Sequence, residues 1–297
     1  MDPAAVWRTR HIDLHLHSTA SDGTLTPESV VRAAHQVGLV ALALTDHDTV
    51  EGVPAARTAA QALGIELVPG VELSAYDESE ETHLLGLDVE RIGAMQDALA
   101  VFRDARRDRA EEMVRLLNAI GVRITFEDVL AEAGEAAIGR PHVARAMVQN
   151  GWAMDLRDAF DRYLGAGRPA YLDKRRILIP EAIDLVHQCG GIAILAHPGG
   201  WGTRDRIEAL VGAGLDGIEV IHPSHSAEDR ARLMALAEHF QLVSSGGSDS
   251  HGATDSGRVV GAMNVPAEWL DRLRQRAMWV REGLTGNDGD TDGVEPA

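Results

Sequence analysis

The chain has 297 residues, of which 45% are hydrophobic and 25% are charged, a composition that is typical of globular proteins. Its formal charge of −18 argues against broad electrostatic binding to duplex nucleic acid. No apolar run approaches the roughly 20 residues that span a bilayer, and the N-terminus lacks the apolar segment of a signal peptide, so a cytoplasmic location is expected. The single cysteine, Cys189, excludes internal disulfide bonds.

Short apolar runs that are typical of strands alternate with helical patterns, which predicts βα units around a parallel sheet. The predicted strands are 11–17, 40–45, 66–72, 82–87, 192–197, 217–221 and 242–245. The predicted helices between them are 27–37, 53–63, 180–189, 204–211 and 227–239. We therefore predict an α/β barrel whose two parts in sequence are residues 11–90 and 170–277.

The interval between these two parts has a different pattern. Residues 97–120, 126–133, 141–149 and 155–164 form four successive helical patterns with no strand among them. We interpret residues 91–169 as a helical insertion on one βα loop, able to cap a site on the barrel. The final stretch, 279–297, is rich in Gly and Asp, has few core-forming residues, and is expected to be disordered.

Histidines and acids stand near the ends of the predicted strands, where βα barrels carry their active sites. Alternation along the first strand places His15 and His17 on one face. Nine such groups suit a cluster of two or three metal ions: His15, His17, Asp22, His47, Glu72, His83, His197, Asp249 and His251. Mixed imidazole and carboxylate donors favour Zn, Mn, Fe or Co over Ca or Mg. Without thiolates, an open catalytic site is favoured over a structural zinc site.

The motifs DLHLHSTASDG, LTDHDT, PGVELS, HLLGL, ILAHPG, GIEV, HPSHS and GGSDSH together resemble the polymerase-and-histidinol-phosphatase (PHP) family. This resemblance covers about residues 11–265. It implies a distorted (βα)7 TIM-like barrel with three divalent metal ions at the C-terminal strand ends, and hydrolysis of phosphoesters. Manganese is the expected metal, with zinc or iron as alternatives.

Matching the motifs position by position implies a ligand set for each ion. The first ion would take His15, His17, Glu72 and Asp249. The second would share Glu72 and add His83 and His197. The third would take Asp22, His47 and His251.

Within the family, the long insert with its RDARRDR and IGRPHVARAM segments resembles nucleoside 3′,5′-bisphosphate phosphatases and 5′-to-3′ exoribonucleases. The resemblance implies that a hydroxide bridging two ions attacks the 3′-phosphate of such a bisphosphate, or releases 5′-terminal nucleotides from short RNA. Asp22, His47 and His222 are the expected catalytic residues: Asp22 as a proton donor to the leaving group, with a metal-bound water as the alternative, and His222 as a hydrogen-bond partner of the scissile phosphate. A nucleotide or RNA 5′ end needs no broad basic surface, and we infer no duplex nucleic acid, membrane or obligate protein partner.

Two clusters in the insert are candidates for binding the substrate. Arg103, Arg106 and Arg109 recur at a helical spacing, and guanidinium groups suit phosphate because they stay charged and donate paired hydrogen bonds. The alternative is a solvated helix edge paired with neighbouring acids. Arg140 and His142 stand at a helix start, a natural anion site, where the alternative is an ordinary helical turn.

Three rival functions remain open on the sequence. The first is a small-molecule phosphatase of the histidinol-phosphate type, in which the arginine helix is merely solvated. The second is a metal-binding regulatory domain without hydrolytic activity. The third is hydrolysis of an amide or lactone, since multinuclear sites polarise carbonyl as well as phosphoryl groups.

Overall fold

The computed structural model describes residues 11–77, 80–133, 138–172, 176–252 and 258–287, without the side chains of Arg103 and of 284–287. The chain divides into two compact units. The barrel unit comprises Met1–Gln96 with Ile177–Ala297, and the helical unit comprises Asp97–Arg176. Across the described ranges, no helix has the combined length and hydropathy that crossing a bilayer demands.

The strands of the described residues form one nine-stranded sheet in the order β8-β7-β6-β4-β3-β2-β1-β9, with β5 beside β3. Their bounds are β1 His11–Asp13, β2 Ala41–Leu44, β3 Glu66–Asp77, β4 Glu80–Leu87, β5 Ile177–Leu178, β6 Ile192–Leu195, β7 Gly217–Ile221, β8 Val243–Gly246 and β9 Val265–Pro266. Beyond β1 and β8 the chain pairs again, at Leu16 and Ser250. This pairing nearly closes the sheet into the distorted barrel that the motifs imply.

Helices surround the sheet and also make up the helical unit. Their bounds are α1 Pro27–Gln36, α2 Val53–Leu63, α3 Ile92–Ala119, α4 Phe126–Ala133, α5 Arg140–Gln149, α6 Leu156–Ala159, α7 Ile179–Gln188, α8 Arg204–Gly212, α9 Ala227–His239 and α10 Glu268–Asn287. Hydroxyl groups of Thr26, Thr203 and Ser226 cap the first turns of α1, α8 and α9. Such caps stabilise a helix start by accepting from an otherwise unpaired backbone N–H.

The central strands are buried on both faces. Every residue of β2 and of β6 is buried, as expected for strands whose two faces are both covered. The helical unit has its own apolar cluster, to which Met113, Leu117 and Met147 contribute. Each unit therefore has a hydrophobic core of its own.

The sheet departs from the parallel arrangement that the sequence predicts. Strand β4 is antiparallel to both β3 and β6. The physical reason is chain length, because only two residues separate β3 from β4, whereas a parallel connection needs about a dozen or more. Reversal at this point still brings His83 of β4 opposite Ser74 of β3, close to the site.

The C-terminal boundary also differs from the expectation of a disordered stretch from residue 279. Helix α10 continues to Asn287. It is anchored because Leu273 and Ala277 are buried in the core of the barrel unit and Val280 packs against that core. Residues 288–297 lie outside the described residues.

Candidate metal centre

Glu72 of β3 lies at the middle of the site and is buried. Its Oε2 lies 3.0 Å from Nε2 of His15 and 3.2 Å from Nε2 of His17. Its Oε1 lies 2.8 Å from Nδ1 of His83 and 3.0 Å from Nε2 of His197. One carboxylate therefore contacts four imidazoles that come from three separate parts of the chain.

Asp249 completes the most buried part of this cluster. Its Oδ1 lies 3.1 Å from Nε2 of His17 and 3.4 Å from Nε2 of His15. His15, His17, Glu72 and Asp249 are all buried, and each offers one ligand atom within 4.8 Å of the others. These four are the set that the motifs imply for one ion.

A second group of donors faces the solvent. Nε2 of His251 lies 3.3 Å from Oδ2 of Asp22, and Nε2 of His47 lies 3.9 Å from the same oxygen. His17 joins these three residues in a set whose ligand atoms again lie within 4.8 Å of one another. The side chain of Asp22 is 55% exposed, so this group is open to substrate.

The third group differs in part from the predicted division of ligands. The structure places His47 with Glu72 and His83, whereas the motifs imply His197 in that position. His197 instead lies beside the group, bonded to Oε1 of Glu72 at 3.0 Å, with its ring centroid 5.2 Å from that of His83. All nine predicted ligands are therefore adjacent in one cluster, and only the division among possible ions differs.

The turns that follow the strands aim these side chains at the site. His197 follows β6 with a φ of 30°, and Asp249 follows β8 with a φ of 50°. Residues other than glycine rarely adopt this left-handed region, and such strain concentrates at functional sites. Gly247 permits the close approach of this turn to β1, because a Cβ there would collide with His15.

Charges within the centre stabilise one another. Burial alone would raise the pKa of Glu72, but the charge of His15 and the hydrogen bonds from His15 and His197 lower it well below its ordinary value. Burial lowers the pKa of His15, yet Glu72 and Glu219 raise it well above its ordinary value. Glu72 is therefore ionised beside a protonated His15, and a divalent cation would displace the proton from Nε2 of His15 on binding.

The donors fit a divalent metal. Among the described residues, neither ring nitrogen of His17 has a hydrogen-bond partner, and the same is true of Nδ1 of His83. His17 Nε2 and His83 Nδ1 nevertheless lie close to carboxylate oxygens of Asp249 and Glu72. Leaving buried polar atoms without partners is costly, and a cation between such lone pairs would satisfy them. Imidazole with carboxylate is the donor chemistry of Zn, Mn and Fe sites.

His222, predicted to contact the scissile phosphate, lies at the edge of this cluster. Its Nε2 is 3.3 Å from Oδ2 of Asp249, and its Nδ1 is 2.7 Å from the hydroxyl of Ser224. Arg258 also donates to Oδ2 of Asp249, at 2.5 Å. Sequence reasoning missed Arg258, since no motif or spacing distinguishes it from a surface arginine.

Two buried carboxylates outside the ligand set were also missed as functional residues. Glu219 of β7 accepts hydrogen bonds from His15 and His197. Asp13 of β1 accepts from the backbone and hydroxyl of Ser248 and from Gly261, so it holds the turn that carries Asp249. The available signal was an acid inside an apolar strand, Asp13 in HIDL and Glu219 in GIEV.

The predicted substrate residues all belong to the helical unit. Arg106 and Arg109 are half-buried in α3, whereas the exposed Arg107 pairs with Glu111; the side chain of Arg103 lies outside the described part. At the start of α5, the Arg140 guanidinium lies 5.4 Å from the ring centre of Tyr171. Nδ1 of His142 accepts from the N–H of Gly139 at 2.9 Å, which caps the helix and leaves Nε2 as the protonated nitrogen.

Comparison with proteins of known activity gives three informative relatives. The 5′-3′ exoribonuclease Rnm of Salmonella typhimurium is 35% identical over 92% of this chain and 91% of its own length. The 3′,5′-nucleoside bisphosphate phosphatase of Chromobacterium violaceum is 36% identical over 84% and 90%. The phosphoribosyl 1,2-cyclic phosphate 1,2-diphosphodiesterase of Eggerthella lenta is 37% identical over 81% and 94%. All three names describe hydrolysis of phosphoesters, with different substrates.

The fold comparison agrees with these relatives. A protein from Bifidobacterium adolescentis assigned as a metal-dependent phosphoesterase superposes with a TM-score of 0.68 at 32% identity. The match covers 90% of this chain and 96% of that one. The family model for the PHP domain matches residues 13–165. The chain therefore belongs to the PHP family and is a metal-dependent phosphoester hydrolase.

Proposed function

We propose that this hydrolase removes the 3′-phosphate of nucleoside 3′,5′-bisphosphates and, by the same chemistry, releases 5′-terminal nucleotides from short RNA. The observation that carries the proposal is the convergence of nine imidazole and carboxylate side chains in one cluster, with Glu72 at its centre. The activities named for the Salmonella and Chromobacterium relatives support this substrate class. In both reactions the bond that breaks joins a 3′ oxygen to phosphorus.

Residues of the barrel unit would hold two or three ions and organise the phosphate. When bound, such ions supply Lewis acidity, lowering the pKa of bound water and neutralising phosphate charge. Glu72 contributes an oxygen to each of two ligand groups, so it holds them at a fixed separation. Nε2 of His222, which lies 3.3 Å from Asp249, would bond a phosphate oxygen.

Asp22 suits a ligand role better than the role of proton donor that the sequence suggests. Burial raises its pKa, but the hydrogen bond from His251 and the nearby His47 lower it to about 2. An acid with such a pKa is ionised at neutral pH and has no proton to give. We therefore assign Asp22 to cation binding and the proton to a water molecule.

The helical unit would bind the second, non-reacting phosphate through Arg106, Arg109, Arg140 and His142. Arg140 is held over Tyr171 by a cation–π contact, which uses the face of the guanidinium and leaves its in-plane N–H groups suited to phosphate. His142 presents Nε2–H because capping uses its other nitrogen. Both residues share the first turn of α5, where backbone N–H groups favour anions.

The test is a product analysis with the manganese-loaded protein. Adenosine 3′,5′-bisphosphate, histidinol phosphate, phosphoribosyl 1,2-cyclic phosphate and a short 5′-phosphorylated RNA would be compared at equal concentration. Release of AMP and phosphate from the bisphosphate, and of mononucleotides from the RNA, supports the proposal. Both activities should disappear after chelation and return with metal. Turnover of histidinol phosphate or the cyclic phosphate alone would contradict the substrate assignment.

A further inference from the structure

Glu219 stands out among the buried acids because both of its oxygens are already used. The residue is 0% exposed in β7. Oε1 accepts from Nδ1 of His15 at 3.0 Å, and Oε2 accepts from the backbone N–H of His197 at 2.7 Å. It belongs to none of the three donor groups. Glu219 therefore lies outside the donor groups and contacts two of the predicted ligands, His15 and His197, at once.

The bond to His15 determines which ring nitrogen faces the centre. A carboxylate only accepts hydrogen bonds, so Nδ1 of His15 carries the proton. When a metal ion displaces the second proton of the ring, Nε2 would offer the lone pair, and this is the nitrogen that lies near Glu72 and Asp249. Partners of this kind fix the tautomer and the ring orientation of metal-binding histidines.

The hydrogen bond to His197 restrains the backbone of that residue, whereas the bond to His15 restrains an imidazole ring. His197 has a φ of 30°, a conformation that costs free energy for any residue other than glycine. The short bond from its N–H to Glu219 holds that conformation, which brings Nε2 of His197 within 3.0 Å of Glu72. One carboxylate thus constrains the ring of one ligand and the backbone of another.

We propose that Glu219 is a positioning residue that fixes the metal-binding tautomer of His15 and the strained backbone of His197, so that both histidines reach the same centre. The inference rests on the proposed function only through its metal centre. It assigns no contact between Glu219 and substrate, so the effect of losing Glu219 is expected in metal affinity before any effect on substrate specificity.

Replacement of Glu219 by glutamine tests the hydrogen-bond pattern at nearly constant volume. Glutamine offers one acceptor and one donor where glutamate offers two acceptors. If the amide oxygen stays with His197, the amide N–H faces Nδ1 of His15 and moves the proton of His15 to Nε2. If the amide turns over, two N–H groups oppose each other at His197. Either arrangement impairs one of the two histidines.

The chain offers a control three residues before Glu219, at the start of the same strand. Asp216, which directly precedes β7, is 3% exposed. Its Oδ2 accepts from Nε2 of His187 at 2.6 Å and from the N–H of Ala193 at 2.9 Å. It therefore bonds one imidazole and one backbone N–H, like Glu219, but neither partner is a metal ligand. Asp216→Asn reports the purely structural cost of such a change.

The experiment measures zinc affinity and stoichiometry of Glu219→Gln, Asp216→Asn and wild type by chelator competition and elemental analysis, together with thermal unfolding. Glu219→Gln is expected to bind zinc about 10- to 100-fold more weakly, whereas Asp216→Asn should match wild-type affinity. Equal zinc affinity in the two variants would overturn the proposal.

Histidine-selective ¹⁵N NMR of the zinc-loaded wild type gives a second readout that needs no variant to fold. A proton on Nδ1 of His15 supports the assignment, and a proton on Nε2 overturns it. Neither measurement uses a substrate. A protein that binds zinc as described but hydrolyses no phosphoester would contradict the proposed function and leave this inference standing.

Discussion

The barrel unit buries several charged side chains in its interior, whereas every described charged side chain of the helical unit is at least partly exposed. Every fully buried polar or charged residue among the described ones belongs to the barrel unit. The helical unit is built around an apolar cluster, and its ion pairs, such as Arg107–Glu111 and Arg162–Asp158, join residues one helical turn apart near solvent.

The difference in burial of charge indicates that the barrel unit is constrained by its chemistry and the helical unit mainly by its packing. Burying ionisable groups is costly unless they are paired or bind metal, so the polar interior of the barrel unit reflects the chemistry it carries out. Half-buried or exposed arginines on an ordinarily packed helical unit, such as Arg106 and Arg107, carry less of this cost, so we expect them to change without loss of the fold. We therefore expect changes in the barrel unit to affect every substrate, and changes in the helical unit to affect substrate preference.

The largest effect is expected for Asp249→Asn. The substitution removes an anionic oxygen that lies 3.1 Å from His17 and 3.4 Å from His15. Loss of several kcal/mol of charge stabilisation corresponds to about 10³-fold lower turnover of all phosphoesters. Phosphate release and metal content would be measured in parallel, with the exposed Asp184→Asn on α7 as the control. Unchanged activity would remove Asp249 from the centre.

His222→Gln is expected to lower turnover by about 10²- to 10³-fold, the usual loss when a donor to developing charge is removed. Because His222 contacts Asp249 without belonging to a donor group, metal content should be preserved. Elemental analysis beside steady-state kinetics checks both parts. His239→Gln, at the exposed end of α9, serves as the control. A matching loss of metal would make His222 a ligand instead.

Paired replacement of Arg106 and Arg109 by alanine should act on one class of substrate. A hydrogen bond to a charged group contributes roughly 1.5–3 kcal/mol of binding free energy. Loss of the guanidinium bonds to the second phosphate should therefore raise KM for nucleoside 3′,5′-bisphosphates about 10- to 100-fold. Nucleoside 3′-monophosphates, which lack the second phosphate, should be hydrolysed at the wild-type rate. Arg107→Ala, whose guanidinium pairs with Glu111, should change neither. Equal losses on both substrates would contradict a second-phosphate clamp.

The smallest effect on the metal centre is expected from a change in the core of the helical unit. Leu117 is fully buried there, so Leu117→Ala should destabilise that unit by about 2–5 kcal/mol. Metal stoichiometry should stay at the wild-type value, because the ligands belong to the other unit. Urea unfolding and elemental analysis provide the two measurements. Coupled loss of metal would show that the units do not act separately.

The sequence predicted which side chains lie together in the cluster better than how they divide into groups. An apolar run that is followed closely by a histidine or an acid indicates the end of a strand, as it does before His47 and His197. Whether His47 or His197 accompanies Glu72 and His83 depends on small differences in the distances between side-chain atoms, and a sequence motif does not specify those distances.

Two parts of the fold were missed for different physical reasons. An apolar run such as β4 fits either strand direction. The predicted strands 66–72 and 82–87 left residues 73–81 between them, whereas β3 continues to Asp77, so the short turn that forces the reversal was concealed. Helix α10 carries exposed Met278 and Trp279 beside the packed Val280, and this mixture conceals its buried face. Glu219 was passed over because one acid in a strand gives no indication of its partners.

The central claim is that the cluster around Glu72 binds divalent metal in the barrel unit. Crystals soaked in manganese would be measured on both sides of the manganese absorption edge. We expect anomalous difference peaks among the nine side chains of the cluster, including one enclosed by His15, His17, Glu72 and Asp249. Peaks elsewhere, or no peak at this cluster at saturating manganese, would contradict it.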